Sequence, residues 1–391
     1  MDELPTPPAM KNGWPWTEES QQIAERLPTG EAWPRVSIVT PSYNQAAYIE
    51  ETIRSVLLQG YPNLEYIIID GGSTDGTVDI VRRYERWLAY WSSEPDKGQG
   101  HAINKGFDKA TGEIFGWLNS DDRYCKGALE LVGRRLLAAG DVAFLYGDCD
   151  VIDSKGSKLN HIKSQSGGPA EFLASSYIPQ PSTFFRRTAW EVVGGIDATF
   201  HYSLDYDLWL RMMLEGLQSL YVPVTLSCFR RHDDSKSSKD LIKFGFDMLA
   251  VMEKLSKRID TQGLQNAKTK GYNQAYWMLS SGYREYIDAG DWEQKEGLRG
   301  LVLWDRFSQT RGDERGKGSS MWLECFYRMG QYCCLQDLPE KGRRYFEEII
   351  KTDRLAYKVI ISWMVSLMGT RAYRAFMKTC IKLKGREEHK C

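Results

Sequence analysis

Residues 64–87, LEYIIIDGGSTDGTVDIVRRYERW, decide the fold class because they place a strand, a polar turn and a helix in succession. The run LEYIIID (64–70) is short and apolar, which is typical of a buried strand. The run TVDIVRRYERW (77–87) has the apolar spacing of a helix, and Thr74 or Asp75 is placed to cap its N-terminus. The strand therefore ends in a polar turn that leads into a helix.

The same alternation continues on both sides of this unit. Strands are predicted at RVSIVT (35–40), GEIFGWLN (112–119) and VAFLYGD (142–148), and a helix within AAYIEETIRSVLLQ (46–59). Strands that alternate with helices favour an α/β sandwich with a largely parallel sheet. Ligands of such sheets bind beyond the carboxyl ends of the strands. The first three strands end in TPSYN, DGGSTDG and NSDD, and we expect the functional site there.

Composition and charge exclude several classes of protein. The chain has 391 residues and a formal net charge of −1, and no basic stripe is interleaved with aromatic residues in the α/β region. We therefore expect no nucleic-acid partner. Eight cysteines without a CxxC pattern favour a reducing compartment, and the acidic, proline-rich N-terminus is unlike a signal peptide. We expect a cytoplasmic protein, with peripheral contact to the inner face of the membrane left open.

Three regions follow one another along the chain. Residues 1–33 are rich in proline, tryptophan and polar residues, and they predict an arm that wraps on the main domain. Residues 34–240 carry the strand–helix alternation, whereas residues 241–391 show helical patterns only. The tryptophans expected to hold the arm are Trp14, Trp16 or Trp33.

The segment RLAYKVIISWMVSLMGTRAYRAFMKTCIKLKGR (354–386) combines an apolar run with basic flanks. The apolar run, Val359 to Gly369, is too short to span a bilayer. One interpretation is a core helix with a solvated basic end. The other is a helix on an anionic membrane surface, where each basic residue adds about 1 kcal/mol. The basic residues are Arg354, Lys358, Arg371, Arg374, Lys378, Lys382, Lys384 and Arg386.

Two carboxylates stand side by side in GWLNSDDRY (116–124), at the end of a predicted strand. Such a pair is usually a turn or a helix cap. Here Asp121 and Asp122 are accompanied by Asp70, which ends another strand, and by the glycine-rich stretch DKGQGHAINKG (96–106). Carboxylate oxygens suit Mg²⁺ or Mn²⁺, and Mg²⁺ completes its coordination with substrate phosphates. We predict a divalent cation between the aspartates and a diphosphate, because the cation relieves their repulsion.

Two long segments, VSIVTPSYNQAAYIEETIRSVLLQGYPNLEYIIIDGGSTDGT and SEPDKGQGHAINKGFDKATGEIFGWLNSDD, resemble the family 2 glycosyltransferases. The similarity is greatest to bacterial enzymes that build O-antigen, capsule or exopolysaccharide, and it covers about residues 34–235 with motifs in family-like order and spacing. It implies an α/β fold of the GT-A type, a Rossmann-like mixed sheet found in nucleotide-diphospho-sugar transferases. A C-terminal all-helical accessory region lies outside the resemblance.

The resemblance also implies roles for the residues at the strand ends. Asp70 matches the aspartate that bonds the uracil or ribose, and Asp121 matches the metal-binding aspartate of the DxD motif. Asn119 departs from the pattern, since an aspartate is expected there, and a neutral amide implies contact through water or the sugar. The residues implied to contact the nucleotide or the donor sugar are Thr40, Pro41, Tyr43, Asp70, Asp96, Lys97, Asn119, Ser120 and Asp122.

On the acceptor side, Asp205 in HYSLDYDLWLR matches the aspartate of the family's ED motif, the general base, although Leu204 replaces the preceding glutamate. Asp207 is its rival, with a helix cap as the structural alternative. Trp209 is expected to cover the acceptor or to pack in the core. PQPSTFFRR (179–187) predicts a strand lining the acceptor side, where Gln180 would touch the acceptor.

The segment SCFRRHDDSKSS (227–238) resembles the C-terminal flap of many family members. His232 is implied as a contact to the metal or the diphosphate, with a packing role as the alternative. Either Arg230 or Arg231 is implied as a contact to the phosphates.

The implied reaction is inverting transfer of a sugar from a nucleotide diphosphate donor, which we expect to be a UDP-sugar, with Mn²⁺ or Mg²⁺ as cofactor. The acceptor would be a hydroxyl of a saccharide or lipid-linked saccharide in surface polysaccharide synthesis. Asp205 would take the hydroxyl proton. A non-catalytic nucleotide-sugar-binding scaffold in a polysaccharide assembly complex is the alternative that Asn119 and Leu204 keep open. A nucleotidyltransferase is disfavoured, because TPSYNQAAY lacks the glycines and arginine of its phosphate loop.

Overall fold

The computed structural model describes residues 4–233, 235–236, 241–288, 320–352 and 357–388. Arg354 of the basic segment and the first three residues of the predicted arm lie outside these ranges, as do parts of the predicted helical region. The chain divides into two compact units. The first comprises Met1–Phe172 and Ser176–Ser235, and the second comprises Leu173–Ser175 and Lys236–Cys391.

The first unit is built on a mixed nine-stranded sheet with the order β3-β2-β1-β4-β8-β6-β9-β5, and β7 pairs with β6. Strands β3, β2, β1 and β4 are parallel neighbours, as are β6 and β9. Strand β8 is antiparallel to both β4 and β6, so the expected parallel character holds for only part of the sheet. The strands are β1 (Val36–Ser42), β2 (Leu64–Asp70), β3 (Tyr90–Ser93), β4 (Ile114–Trp117), β5 (Arg123–Tyr124), β6 (Val142–Ile152), β7 (Lys158–Ile162), β8 (Thr183–Arg186) and β9 (Gln218–Arg230).

Helices pack on both faces of this sheet because successive strand side chains point to opposite faces. Ile38 of β1 joins the core formed with α1, α2 and α4. Its neighbour Val39 instead meets α3 at Gly106, where there is no room for a Cβ. The helices of the described part of this unit are α1 (Ile49–Leu57), α2 (Thr77–Arg83), α3 (Gln99–Lys109), α4 (Ala128–Ala138), α5 (Pro169–Ser175), α6 (Arg187–Val193) and α7 (Leu204–Leu214).

The start of α2 differs from the prediction. Its N-cap is Gly76, with φ of 98°, so neither Thr74 nor Asp75 caps the helix. Asp75 instead accepts hydrogen bonds from the backbone N–H and the hydroxyl of Thr77, at 3.0 and 2.6 Å. Because glycine enters the left-handed region at little cost, Gly76 sets the helix start one residue beyond the expected cap.

The N-terminal arm is tied to the sheet unit by hydrogen bonds. Trp14 Nε1 donates to the carbonyl oxygen of Tyr124 at 2.8 Å. The guanidinium of Arg54 on α1 is buried and donates to three carbonyl oxygens of the arm. Those carbonyls belong to Pro5, Pro15 and Trp16. One buried cation thus holds two separate stretches of the arm.

The second unit contains the predicted C-terminal helices, and sequence neighbours among them pack together. The prediction of a mixed α/β sheet followed by C-terminal helices is therefore confirmed for the residues that the structure describes. Within the described ranges, no helix is both long and apolar enough to cross a bilayer. The helices are α8 (Leu241–Thr261), α9 (Gln265–Asp288), α10 (Ser320–Leu335), α11 (Pro339–Thr352), α12 (Tyr357–Ser366) and α13 (Thr370–Glu388).

Candidate active site

The loop after β2 is organised by the carboxylate of Asp70. Its Oδ2 accepts hydrogen bonds from the backbone N–H groups of Gly72 and Ser73, at 3.1 and 2.8 Å. The hydroxyl of Ser93, at the end of β3, donates to the same oxygen at 2.6 Å, and the hydroxyl of Ser73 donates to Oδ1 at 2.5 Å. Since Asp70 and Ser93 are register partners, this carboxylate joins the carboxyl ends of two parallel strands.

Asp96 and Lys97 lie beside this loop. Asp96 Oδ1 accepts the backbone N–H of Gly98 at 2.7 Å. A Cβ built on Gly71 would lie 3.0 Å from Asp96 Oδ2, so the loops of Asp70 and Asp96 pack closely. Lys97 is exposed next to them.

The predicted nucleotide loop TPSYN divides into buried and exposed residues. Thr40 is fully buried, and its hydroxyl is hydrogen-bonded to the hydroxyl of Tyr66 at 3.0 Å. Pro41 is buried within β1, whereas the side chain of Tyr43 is 63% exposed. A ligand at this edge would therefore meet the ring of Tyr43, and the Thr40 side chain faces the core.

Asn119 is the centre of an amide network. Its Nδ2 donates to Asp122 Oδ2 at 3.3 Å and to Gln180 Oε1 at 3.0 Å. Its Oδ1 accepts from Gln99 Nε2 at 2.7 Å. Gln180 Nε2 in turn donates to the carbonyl of Trp117, which ends β4. The structure thus brings Gln180 to the NSDD turn, and Asn119 fixes its neighbours through neutral hydrogen bonds.

The two adjacent aspartates have different environments. Asp122 is fully buried and accepts the backbone N–H of Arg230 at 2.8 Å. Burial, together with the negative charge of Asp121, raises the pKa of Asp122 well above its ordinary value. Asp121 retains 17% side-chain exposure, and its Oδ2 lies 3.2 Å from His232 Nε2. Ser120, which precedes Asp121, is buried, and its carbonyl accepts a hydrogen bond from the hydroxyl of Thr52.

Asp121 and His232 are the residues that would hold a divalent cation. The imidazole of His232 packs against the ring of Tyr48, with 4.6 Å between ring centroids. No group of three or more His, Cys, Asp or Glu side chains suited to a metal occurs among the described residues. Two protein ligands still fit the predicted cation, because Mg²⁺ keeps most of its positions for water and substrate phosphates.

Arg230 has a structural task that the sequence did not reveal. Its side chain is buried, its Nε donates to the carbonyl of Asp121 at 2.8 Å, and its Nη2 lies 3.0 Å from Glu51 Oε1. Arg123 Nη1 reaches the same Glu51 oxygen at 2.6 Å. The Arg230 guanidinium thus supports the Asp121 backbone, and a phosphate contact by either Arg230 or Arg231 stays a prediction. Arg231 is exposed.

The first turn of α7 holds the second pair of aspartates. Asp205 is partly buried, and the loss of solvation raises its pKa. Asp207 is fully buried and pairs with Arg211 at 2.7 Å. The helix begins at Leu204, so Asp207 is not its cap, and that alternative is wrong. The i, i+4 spacing of Asp207 and Arg211 was the available sequence signal for this pair.

The glycines at the start of α3 connect this helix to the NSDD turn. A Cβ on Gly98 would lie 3.7 Å from His201 Nδ1, and one on Gly100 would lie 3.2 Å from Leu204 Cδ2. Gln99, between them, reaches Asn119. The start of α7 therefore lies beside the loop that holds Asn119.

Trp209 lies in the core and not at the site. It is fully buried and stacks on Trp117 and Phe144, with centroid distances of 5.5 and 6.1 Å. This position gives no support to the expected contact between Trp209 and the acceptor. It agrees with the alternative expectation, that Trp209 packs in the core. Burial of a large aromatic ring between sheet and helix stabilises the fold, because it removes apolar surface from water.

Comparison with known proteins agrees with this architecture. Residues 37–194 match the family model described as Glycosyl transferase family 2. An uncharacterized glycosyltransferase of Rickettsia typhi is 34% identical over 194 residues, which are 46% of this chain and 59% of that protein. A putative teichuronic acid biosynthesis glycosyltransferase of Bacillus subtilis is 44% identical over 102 residues, 25% of this chain and 40% of that protein.

One solved structure with a similar chain trace is a mannosyltransferase of Pyrobaculum calidifontis in complex with GDP-Man and Mn²⁺. Its TM-score is 0.48 at 20% identity, and the match covers 71% of this chain and 80% of that one. This chain spans only 31 to 59% of the length of three rickettsial relatives.

The mixed sheet, with helices on both faces, defines an α/β domain. The stretch of this domain that matches the Glycosyl transferase family 2 model is residues 37–194.

Proposed function

We propose that this chain is an inverting, metal-dependent glycosyltransferase that moves a sugar from a nucleotide diphosphate, a UDP-sugar, to a saccharide or lipid-linked hydroxyl. The observation that supports the proposal is that separate elements carry the three aspartates: Asp70 ends β2, Asp121 follows β4, and Asp205 lies at the start of α7, which packs beside α3 at Gly100. The name of the Bacillus subtilis relative supports a role in surface polysaccharide synthesis. We place this activity in the cytoplasm, with peripheral membrane contact as a part of the same proposal.

The donor nucleotide would bind over the loops after β1 and β2. Asp70 Oδ1 accepts one hydrogen bond from Ser73, and a carboxylate oxygen has capacity for a further donor from the uracil or ribose. The exposed ring of Tyr43 offers a stacking surface for the base. Asp96 and Lys97 would line the pocket beside this loop.

The diphosphate would lie at the NSDD turn, with Asp121 and His232 holding the cation. When bound, a divalent cation neutralises the negative charge that develops on the departing diphosphate. Asn119 would act indirectly, because its amide orients Asp122 and Gln180. From there Gln180 would reach toward the acceptor, while Ser120 contributes backbone to the turn.

Asp205 is the general base in this proposal, and Asp207 is not. The Asp207 carboxylate is paired with Arg211 in the core, whereas Asp205 is partly exposed at the start of α7. As the acceptor oxygen attacks the anomeric carbon, Asp205 takes the hydroxyl proton and the nucleoside diphosphate leaves from the opposite face. The raised pKa of Asp205 strengthens it as a base, since proton affinity rises with pKa.

Calorimetric titration tests the proposal. UDP, dTDP and GDP would each be titrated into the full chain with and without Mn²⁺. We expect UDP to bind only when Mn²⁺ is present, and UDP-sugar consumption to follow with a suitable acceptor. Absence of binding by every diphosphate in both conditions would contradict it.

A nucleotide-sugar-binding scaffold is the second candidate, and Asn119 favours it. A neutral amide, already engaged by three side chains, replaces the carboxylate expected at that position. Such a scaffold would bind UDP without hydrolysing or transferring the sugar of any UDP-sugar, so product release separates the two candidates.

A further inference from the structure

The helix α12 buries two serines as well as Val359, and it exposes two large apolar side chains, Ile361 and Met364. Ser362 and Ser366 are buried, and the hydroxyl of Ser362 lies 3.3 Å from the hydroxyl of Tyr327. A helix in a water-soluble bundle normally shows the opposite distribution.

The outward side chains form one patch, which we call the α12 patch: Ile361, Met364, Leu367 and Met368, with exposed fractions of 41, 49, 56 and 74%. Their spacing places them on one side of the helix and its last turn. That turn continues past the helix, because the N–H of Leu367 donates to the carbonyl of Met364. A contiguous exposed apolar surface of this kind marks an interaction site.

The charged residues next to the patch in the sequence are basic, whereas two acids from outside this stretch contact it: Glu347 accepts a hydrogen bond from Trp363 Nε1 at 3.3 Å, and Asp337 Oδ2 lies 3.8 Å from Arg374 Nη2. Residues 357–386 contain no aspartate or glutamate. Lys358 precedes the patch, while Arg371 and Lys378 follow it, and all three are exposed. The Lys and Arg residues of this range are Lys358, Arg371, Arg374, Lys378, Lys382, Lys384 and Arg386.

We propose that the α12 patch and its flanking cations dock on an anionic lipid surface. The apolar side chains would enter the boundary between headgroups and acyl chains, with the helix parallel to the membrane. The basic residues would lie at the level of anionic headgroups, where each one adds about fivefold to binding. This inference assigns a particular surface to the peripheral membrane contact proposed above, and its test does not depend on sugar transfer.

Charge argues against a second copy of the chain as the occupant. A symmetric contact through the patch would bring the cations of two copies together, because the charged residues of 357–386 are all basic and the acids that contact them, Glu347 and Asp337, come from outside this stretch. An anionic bilayer satisfies both the apolar and the charged parts of the surface at once.

Vesicle flotation of the full chain tests the proposal. Phosphatidylcholine vesicles would be compared with vesicles of equal parts phosphatidylcholine and phosphatidylglycerol, without nucleotide or acceptor. We expect flotation with the anionic vesicles only, and release in about 1 M NaCl, where the screening length is about 3 Å. Failure of the wild-type chain to float with anionic vesicles would overturn the proposal, as would equal flotation with both vesicle types.

A matched pair of double variants isolates the patch. M364S/L367S removes two patch side chains that are 49 and 56% exposed, and L137S/V192S removes two elsewhere that are 49 and 57% exposed. We expect the first to weaken vesicle binding at least tenfold and the second to leave it unchanged. Both should keep the wild-type melting temperature, since the side chains are exposed. Equal vesicle binding by the two variants would overturn the assignment of the surface.

A third variant, K358Q/R371Q/K378Q, tests the charges. We expect about a hundredfold weaker binding to anionic vesicles, from three losses of about fivefold each. Sedimentation velocity of the wild-type chain tests whether a second copy covers the patch. A dimer that M364S/L367S abolishes would show that a second copy covers the patch, and would overturn the proposal.

Discussion

The NSDD turn and the first turn of α7 each contain two aspartates. In each pair, one carboxylate is buried and the other is partly exposed to solvent. Asp122 and Asp207 are fully buried, while Asp121 and Asp205 keep contact with solvent. The two buried aspartates differ in the groups that bind their carboxylates. Asp207 has a cation, Arg211, at 2.7 Å, whereas Asp122 is bonded to a backbone N–H and an amide.

The difference in burial indicates that the buried aspartate of each pair has a structural role and that the exposed one is available for chemistry. A buried carboxylate needs a partner, and Arg211 supplies a full positive charge to Asp207. The exposed neighbour in each pair is left available for a substrate or a cation. Four mutational or kinetic measurements test this division between structural and chemical aspartates.

The largest expected effect is the loss of turnover in Asp205→Asn. Removal of a general base typically costs 10²–10⁴-fold, so we expect kcat to fall at least a hundredfold. The affinity for UDP, measured by calorimetry, should stay near wild type because the substitution leaves the nucleotide loops intact. Turnover within a few-fold of wild type would assign the proton transfer to another group.

The next effect falls on stability. Asp207→Asn leaves Arg211 buried without its counter-charge, and breaking a buried pair in this way costs about 3 kcal/mol. Urea denaturation should show this loss in the free energy of unfolding. The matched variant Asp205→Asn should unfold near the wild-type midpoint, and an equal loss in both variants would erase the distinction.

A third effect concerns the cation. Asp121→Ala should weaken UDP binding about tenfold or more in the presence of Mn²⁺, since a metal-dependent contact is worth several kcal/mol. Binding without Mn²⁺ should be equally weak in the variant and the wild type. Asp207→Asn serves as the control, and unchanged affinity of Asp121→Ala in Mn²⁺ would count against the metal assignment.

The smallest expected effect is a displacement of the pH profile. The base must be deprotonated, so kcat/KM should fall as the pH drops through the pKa of Asp205. Because burial raises that pKa, the acidic limb should lie above the ordinary aspartate value of about 3.9. The decline should approach tenfold per pH unit. A profile that stays flat down to the ordinary value would be evidence against a raised pKa at the base.

Local sequence patterns predicted much of the fold and the location of the site. The strands β1, β2 and β4 and the helices between them follow from short apolar runs and turn residues, which are local properties. The strand β3 was missed because Tyr90–Ser93 is short and only partly buried. The site residues Glu51, Gln99 and Tyr48 were also missed, since nothing in their local sequence indicates a contact with a distant turn.

The amino-acid sequence alone shows that aspartates lie at the ends of β2 and β4 and that these strands lead into polar turns. Parallel strands bring their carboxyl ends to one edge, so the polar residues at the strand ends were enough to predict a candidate site there. Tertiary contacts establish which aspartate of each pair is buried, that Arg230 supports a backbone and that Trp209 packs in the core. They also leave Ile361 and Met364 of α12 exposed while Ser362 and Ser366 are buried. Burial and partner choice depend on residues far apart in the chain, and these contacts exist only when the chain is folded.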